Sequence, residues 1–224
     1  MVKGFEMIIK SKFVVYIYRI AAALLAGVGI YLNYYSFDSN IFDLLSYFTI
    51  LSNLLGFLYM VYGIWCLAKN KLENLSAKGA VMLYLMVTFL IFFFVLVPSM
   101  KNGPDSNYLT TPANALVHYV MPWLVFFDFI LFSPKGKFSK LDPLKWTIFP
   151  FVYFAFCIIR AQFTSFQGKG TRWPYFFIDF DSQAFGQVIV NVVCMIILFV
   201  LLGYVFYLMD YLLNKLNRKS HRPK

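Results

Sequence analysis

Six apolar stretches, each of about 19 to 24 residues and separated by polar, turn-rich segments, leave this chain few ways to fold. A helix rises about 1.5 Å per residue, so about 20 apolar residues cross the roughly 30 Å hydrocarbon core of a bilayer. The stretches run over about 13–32, 44–67, 80–98, 114–132, 146–164 and 187–209. Between them lie NYYSFDSN, AKNKLENLSAK, SMKNGPDSNYLTTP, SPKGKFSKLDPLK and the longer SFQGKGTRWPYFFIDFDSQAF. The residues are 61% hydrophobic and 13% charged, against about 45–50% and about 25% in soluble domains. That balance excludes a water-soluble core. Spans and short loops use nearly the whole chain, so residues 1–224 are expected to form one all-α polytopic domain of six transmembrane helices. The first stretch carries no cleavage site and reads as an uncleaved span.

Lys and Arg set the orientation. Lys3, Lys10 and Lys12 precede the first stretch; Lys69, Lys71 and Lys78 lie in the second connection; Lys135, Lys137, Lys140 and Lys145 lie in the fourth. Lys215, Arg218, Lys219, Arg222 and Lys224 end the chain. The opposite side holds only Lys101, Lys169 and Arg172, fifteen against three. Both termini are therefore expected in the cytoplasm of a multi-pass cell-membrane protein. The net charge of +10 is spread among short segments beside the spans, which suits lipid headgroups and not nucleic acid. Membrane lipids are the expected partners, and the oligomeric state is left open. Cys66, Cys157 and Cys194 fall inside apolar stretches without metal-ligand spacing, so free buried thiols are expected, with no metal site and no cofactor.

Charged groups inside a bilayer cost roughly 2.5–3.5 kcal/mol each on insertion scales and usually have partners. Arg19, near the cytoplasmic start of the first stretch, and Asp128, near the cytoplasmic end of the fourth, match in depth and are expected to form a structural ion pair. A second group gathers near the outer face. Thr49, His118 and Arg160 come from three different spans and share a layer roughly 6–8 Å below the boundary. Thr49, Ser52, Asn53 and Gly56 follow helical spacing, as do Tyr153, Cys157, Arg160 and Thr164, and Gln187, Asn191 and Cys194. Small and polar stripes of this kind commonly serve helix packing. Pro122 stands four residues after His118, so the carbonyl of His118 loses its helical partner and the helix is expected to bend there.

A threonine hydroxyl becomes nucleophilic when a base removes its proton, and histidine titrates in the useful range. Thr49 and His118 are thus a candidate nucleophile and base for attack on an ester carbonyl, with Oγ expected within about 2.6–3.2 Å of the imidazole, directly or through one water. Asn53, Asp43 and Asp179 are weak candidates for orienting the ring. Ordinary readings compete: a threonine hydroxyl often bonds its own helix, and an arginine near an interface often snorkels. Arg160 is also a candidate anchor for a carboxylate or phosphate. Ser52, Asn53, Trp173 and Tyr175 complete the expected substrate-binding set. The segment from Trp173 to Ile178 is too apolar for a free aqueous loop and is expected at the interface, as an anchor or as a lid.

Three segments carry a resemblance. YFTILSNLL in the second span, HYVMP in the fourth and RWPYFFIDF before the sixth resemble the androgen-induced-gene family of six-span proteins, and its bacterial relatives more closely. The resemblance implies a threonine hydrolase acting on fatty-acid esters of hydroxy fatty acids, with Thr49 and His118 at the family's threonine and histidine. Ser52 and Asn53 depart from the animal pattern, so the substrate does not carry over, and Arg160 matches no catalytic position. The expected function is a lipid or fatty-acid-ester hydrolase working through an acyl-enzyme in an outward-facing cavity. The alternatives are an acyltransferase, and a transporter or receptor-like protein binding a small anion or lipid.

Overall fold

The computed structural model describes residues 8, 9, 11–36, 41–101, 103–163 and 171–220. Lys3, Lys10, Thr164, Lys169, Arg222 and Lys224 lie outside the described residues. Among those described, the secondary structure is helical throughout, with no strand. Six helices are long and apolar enough to cross a membrane: α1 Lys12–Ser36, α2 Phe48–Ala68, α3 Leu75–Met100, α4 Pro112–Phe132, α5 Asp142–Ala161 and α6 Phe185–Asn217.

Local chemistry sets the boundaries that apolarity alone misplaces. The side chain of Asn74 accepts from the Ala77 N–H at 3.1 Å and starts α3 at Leu75, earlier than the apolar run suggests. Thr111 caps α4 in the same way, accepting from Asn114 N–H at 3.1 Å, with Pro112 as first helical residue. The Asp142 carboxylate accepts from the Ser139 N–H at 2.9 Å and from its hydroxyl at 2.8 Å as α5 begins. The second span starts later than expected. Ile41–Leu44 form a separate helical turn, the chain bends, and α2 opens only at Phe48. The Tyr153 hydroxyl donates to the Ser46 carbonyl at 2.7 Å and holds this bend against α5.

The helix α3 is central: half of its most apolar window is buried, against 17% for α6 at the periphery. Met82, Leu83 and Leu85 are wholly enclosed. Aromatic rings knit α2, α3 and α5 together, with Phe48 edge-on to Tyr153 at 5.1 Å and Tyr84 tilted against Phe149 at 5.0 Å. Outward positions are large and apolar, Leu24, Ile159 and Leu201 among them, as a lipid-facing surface requires. Cys66 and Cys157 are buried free thiols, as expected, but Cys194 is exposed. The reason is the peripheral place of α6, which leaves much of its circumference uncovered.

At the end of the bundle where α1 and α3 start, Arg19 and Asp128 pair as their depths imply, Nε to Oδ1 at 2.8 Å. They are not alone. Lys78 Nζ lies 2.5 Å from Asp128 Oδ2 and 3.1 Å from Glu73, and Arg19 Nη1 lies 2.7 Å from Glu73. Two cations and two anions thus form one neutral network joining α1, α3, α4 and the connection before α3. Lys78, placed by its neighbours in a loop, is in fact fully buried on the first turn of α3. Gly63 makes the room: a Cβ there would stand 2.7 Å from Arg19 Nη1.

Candidate functional site

Thr49 and His118 meet at the opposite end of the bundle. Because α2 begins at Phe48, Thr49 sits in the first helical turn, where backbone N–H groups have no intrahelical acceptor. Its Oγ1 lies 3.3 Å from His118 Nε2, just beyond the expected 2.6–3.2 Å. Both residues are buried. The Thr49 hydroxyl is therefore turned toward the imidazole. Its own carbonyl is occupied by others: Ser52 donates to it at 2.9 Å and the Asn53 amide at 2.8 Å.

His118 lies in a widened turn. Leu116–Val120 in α4 and Phe92–Leu96 in α3 are π-helical, the Met121 N–H reaching the Leu116 carbonyl and the Val97 N–H that of Phe92. Each is followed, two residues past its end, by a proline, Pro122 and Pro98. A proline lacks the N–H for the carbonyl four residues back and clashes with it. The extra residue of a π turn widens the helix where that clash falls. The bend expected at His118 thus takes the form of a π turn, a feature frequent at functional sites. The two widened turns face each other, and the Phe92 ring stacks on the His118 imidazole at 3.7 Å between centroids.

None of the three polar candidates orients the imidazole. Asn53 donates to the carbonyls of Thr49 and Val117, Asp43 pairs with Arg160, and Asp179 accepts from Thr171 and from backbone N–H groups of its own loop. His118 Nδ1 has no well-formed hydrogen bond, although the Asn114 carbonyl of the preceding turn lies close to it. The stacked Phe92 ring is what holds the plane of the histidine.

The segment from Trp173 to Ile178 folds over this pair. Trp173, Pro174 and Ile178 are buried, and the Thr49 N–H donates to the Tyr175 hydroxyl at 3.3 Å. Tyr175 stacks on Phe177 at 5.0 Å and meets Tyr47 edge-on at 5.7 Å. Burial pushes its hydroxyl up to about 12, so it remains a proton donor at neutral pH. The Asn191 amide of α6 donates to the Phe177 carbonyl at 2.9 Å and ties the cover down.

Two spaces border Thr49. One is a cavity of about 670 Å³ whose walls include Asn33, Ser99, Tyr108, His118 and Tyr175. The other is a narrow apolar cleft of about 90 Å³ between α3, α5 and α6, walled by Val87, Ile91, Phe154, Met195 and Phe199. Thr49 and Tyr175 border both.

Of the residues expected to bind substrate, Tyr175 meets the Thr49 N–H and borders both spaces, while Ser52 and Asn53 reach Thr49 only at its carbonyl. Ser52 and Asn53 are buried packing groups, Ser52 bonded to Thr88 at 3.0 Å. Trp173 donates its ring N–H to Asp181 at 3.0 Å. Arg160 borders neither space, and its guanidinium is bound by Asp43 and by the Arg172 carbonyl. Asp43 neutralises the charge an anionic headgroup would need. Phe92 and Tyr108 were missed, since nothing in their spacing marks them. Among the described residues no cluster of metal-ligating side chains occurs. Comparisons with protein families, with characterised proteins and with solved structures find no match.

Proposed function

We propose that this chain is a multi-pass membrane ester hydrolase, related to the androgen-induced-gene family, in which Thr49 is the nucleophile and His118 its base. The 3.3 Å contact between Thr49 Oγ1 and His118 Nε2, where Thr49 borders both cavity and cleft, carries the reading. The three resembling segments support it independently of geometry.

Neutral His118, with its proton on Nδ1, takes the Thr49 proton as Oγ attacks the acyl carbon. The carbonyl oxygen becomes an oxyanion beside the first turn of α2. The Thr49 N–H and the Tyr175 O–H are the donors at hand there. The intermediate collapses, the alcohol leaves with the proton from His118, and Thr49 carries the acyl group as an ester. Water, activated by the same imidazole, hydrolyses that ester and restores the hydroxyl. With another alcohol in place of water, the same sequence transfers the acyl group.

Covalent labelling of the purified protein by a fluorophosphonate tests the reading. Labelling is expected in the wild type and lost in Thr49→Ala and His118→Ala. Equal labelling of Thr49→Ala would rule out the nucleophile, and no labelling at all would favour a binding protein. Tyr175→Phe removes one oxyanion donor and should lower kcat by about 10²–10³ with little change in KM. Undiminished turnover in that variant would remove the hydroxyl from the mechanism.

The site faces outward and both termini are cytoplasmic in this proposal, on the strength of the basic-residue bias. Single cysteines at Asn107 and Lys71, in a background without native cysteines, should separate the two faces. Impermeant maleimide should modify the first in intact cells and spare the second. The reverse pattern would invert the protein.

A further inference from the structure

We infer that the cavity beside Thr49 receives an uncharged, hydroxyl-bearing alcohol group attached to a single acyl chain, as in a monoacyl ester of glycerol, and excludes an anionic one. The inference deepens the hydrolase reading and rests on it for the position of the scissile bond.

The cavity's charge comes first. At about 670 Å³ it has the size of a small-molecule site. Among the described residues that wall it, none is Lys, Arg, Asp or Glu. Of the described cations at this end, Lys101 follows Met100 but is not itself a wall residue, and both arginines are bound elsewhere. Arg160 is bound by Asp43, and Arg172 pairs with Asp181 at 2.8 Å, away from both spaces.

Hydrogen-bond direction adds a second argument. Tyr108 donates its proton to Asn33 Oδ1 at 2.7 Å, and Ser99 donates to the Leu96 carbonyl at 2.8 Å. The Asn33 amide spends its protons on the carbonyls of Gly29 at 2.8 Å and Ala113 at 3.1 Å. These three wall groups have thus committed their donors inward, to the protein, and the Tyr175 hydroxyl stands at Thr49, where the proposed mechanism uses it. A carboxylate or phosphate accepts hydrogen bonds only and would meet no charge partner among the described wall residues and no donor from Asn33, Ser99 or Tyr108, a costly placement. A hydroxyl group brings its own proton and meets oxygen.

The cleft supplies the other half. Its walls are almost wholly apolar, and it is narrow enough for one chain. Thr49 borders both cleft and cavity, as Leu96 and Tyr175 do. An acyl carbon at Thr49 therefore sends its chain into the cleft and its alcohol into the cavity.

Binding of two non-hydrolysable ethers of equal chain length, an alkylglycerol and an alkyl ether ending in a carboxylate, tests this on the purified full chain in neutral lipid nanodiscs. Each competes against fluorophosphonate labelling, and each is also followed by thermal shift of the Thr49→Ala variant, which needs no chemistry. The alkylglycerol should bind at least about tenfold more tightly, the ratio set by one unmet buried polar group. Ser99→Lys, which puts a cation into the wall, should narrow or reverse the ratio. Equal or tighter binding of the carboxylate ether to the wild type would overturn the inference and leave the hydrolase reading intact. Failure of both ethers to bind would overturn it as well. Tight alkylglycerol binding in a protein that neither labels nor hydrolyses would keep the neutral site and discard the hydrolase.

Discussion

Replacing Thr49 by Ala, His118 by Ala, or both together should lower ester hydrolysis by nearly the same factor, about 10³–10⁴. A nucleophile and its base act as one unit, so once either is gone the other has little left to contribute. Steady-state rates of the purified variants on a neutral acyl ester give the three numbers. The single losses should not multiply in the double variant. If they did, each residue would be acting on its own, as two substrate contacts would. The pair would then be a binding feature, and the contact at 3.3 Å would have no catalytic meaning.

The second large effect falls on stability, at the other end of the molecule. Asp128→Asn leaves Arg19 and Lys78, both fully buried, with Glu73 as their remaining carboxylate. Breaking a buried pair from one side costs roughly 3–5 kcal/mol, because the orphaned charge stays in a low-dielectric interior. The detergent-solubilised variant should melt far below the wild type. Adding Lys78→Met removes the second cation and leaves Arg19 with Glu73, a neutral pair at 2.7 Å. The double variant should recover more than half of the loss. Additive losses would show that the four charges are not coupled.

Span number and the depth of polar residues were legible because both follow from counting along a helix. Arg19 with Asp128, and Thr49 with His118, were matched in this way, each pair from two different spans. Rotation about the helix axis is not written in one sequence with comparable clarity. Arg160 shares the layer of Thr49, yet it lies on Asp43 from the turn before α2, a partner whose place depends on the bend at Ser46. Lys78 and Glu73 read as loop charges because charges usually lie outside spans, and only the cap at Asn74 brings α3 down to include Lys78. Pro122 signalled a disturbance at His118, but its matching turn at Phe92 before Pro98 went unread, since one proline near a helix end reads as simple termination.

The four-charge network has a mechanical side. It grips α1, α3 and α4 at one end, while the Thr49–His118 pair lies at the other, where α3 meets α4 through ring stacking and the ion pairs Arg160–Asp43 and Arg172–Asp181 lie instead beside α5 and its connections. A pair of tweezers is built in this manner, with a welded heel and tips free to part. Substrate entry can then spread the helices at the tips without loosening the heel, so the work of admitting a guest is kept apart from the work of unfolding. Amide exchange along α4 would trace this as a gradient, fast near His118 and slow near Asp128.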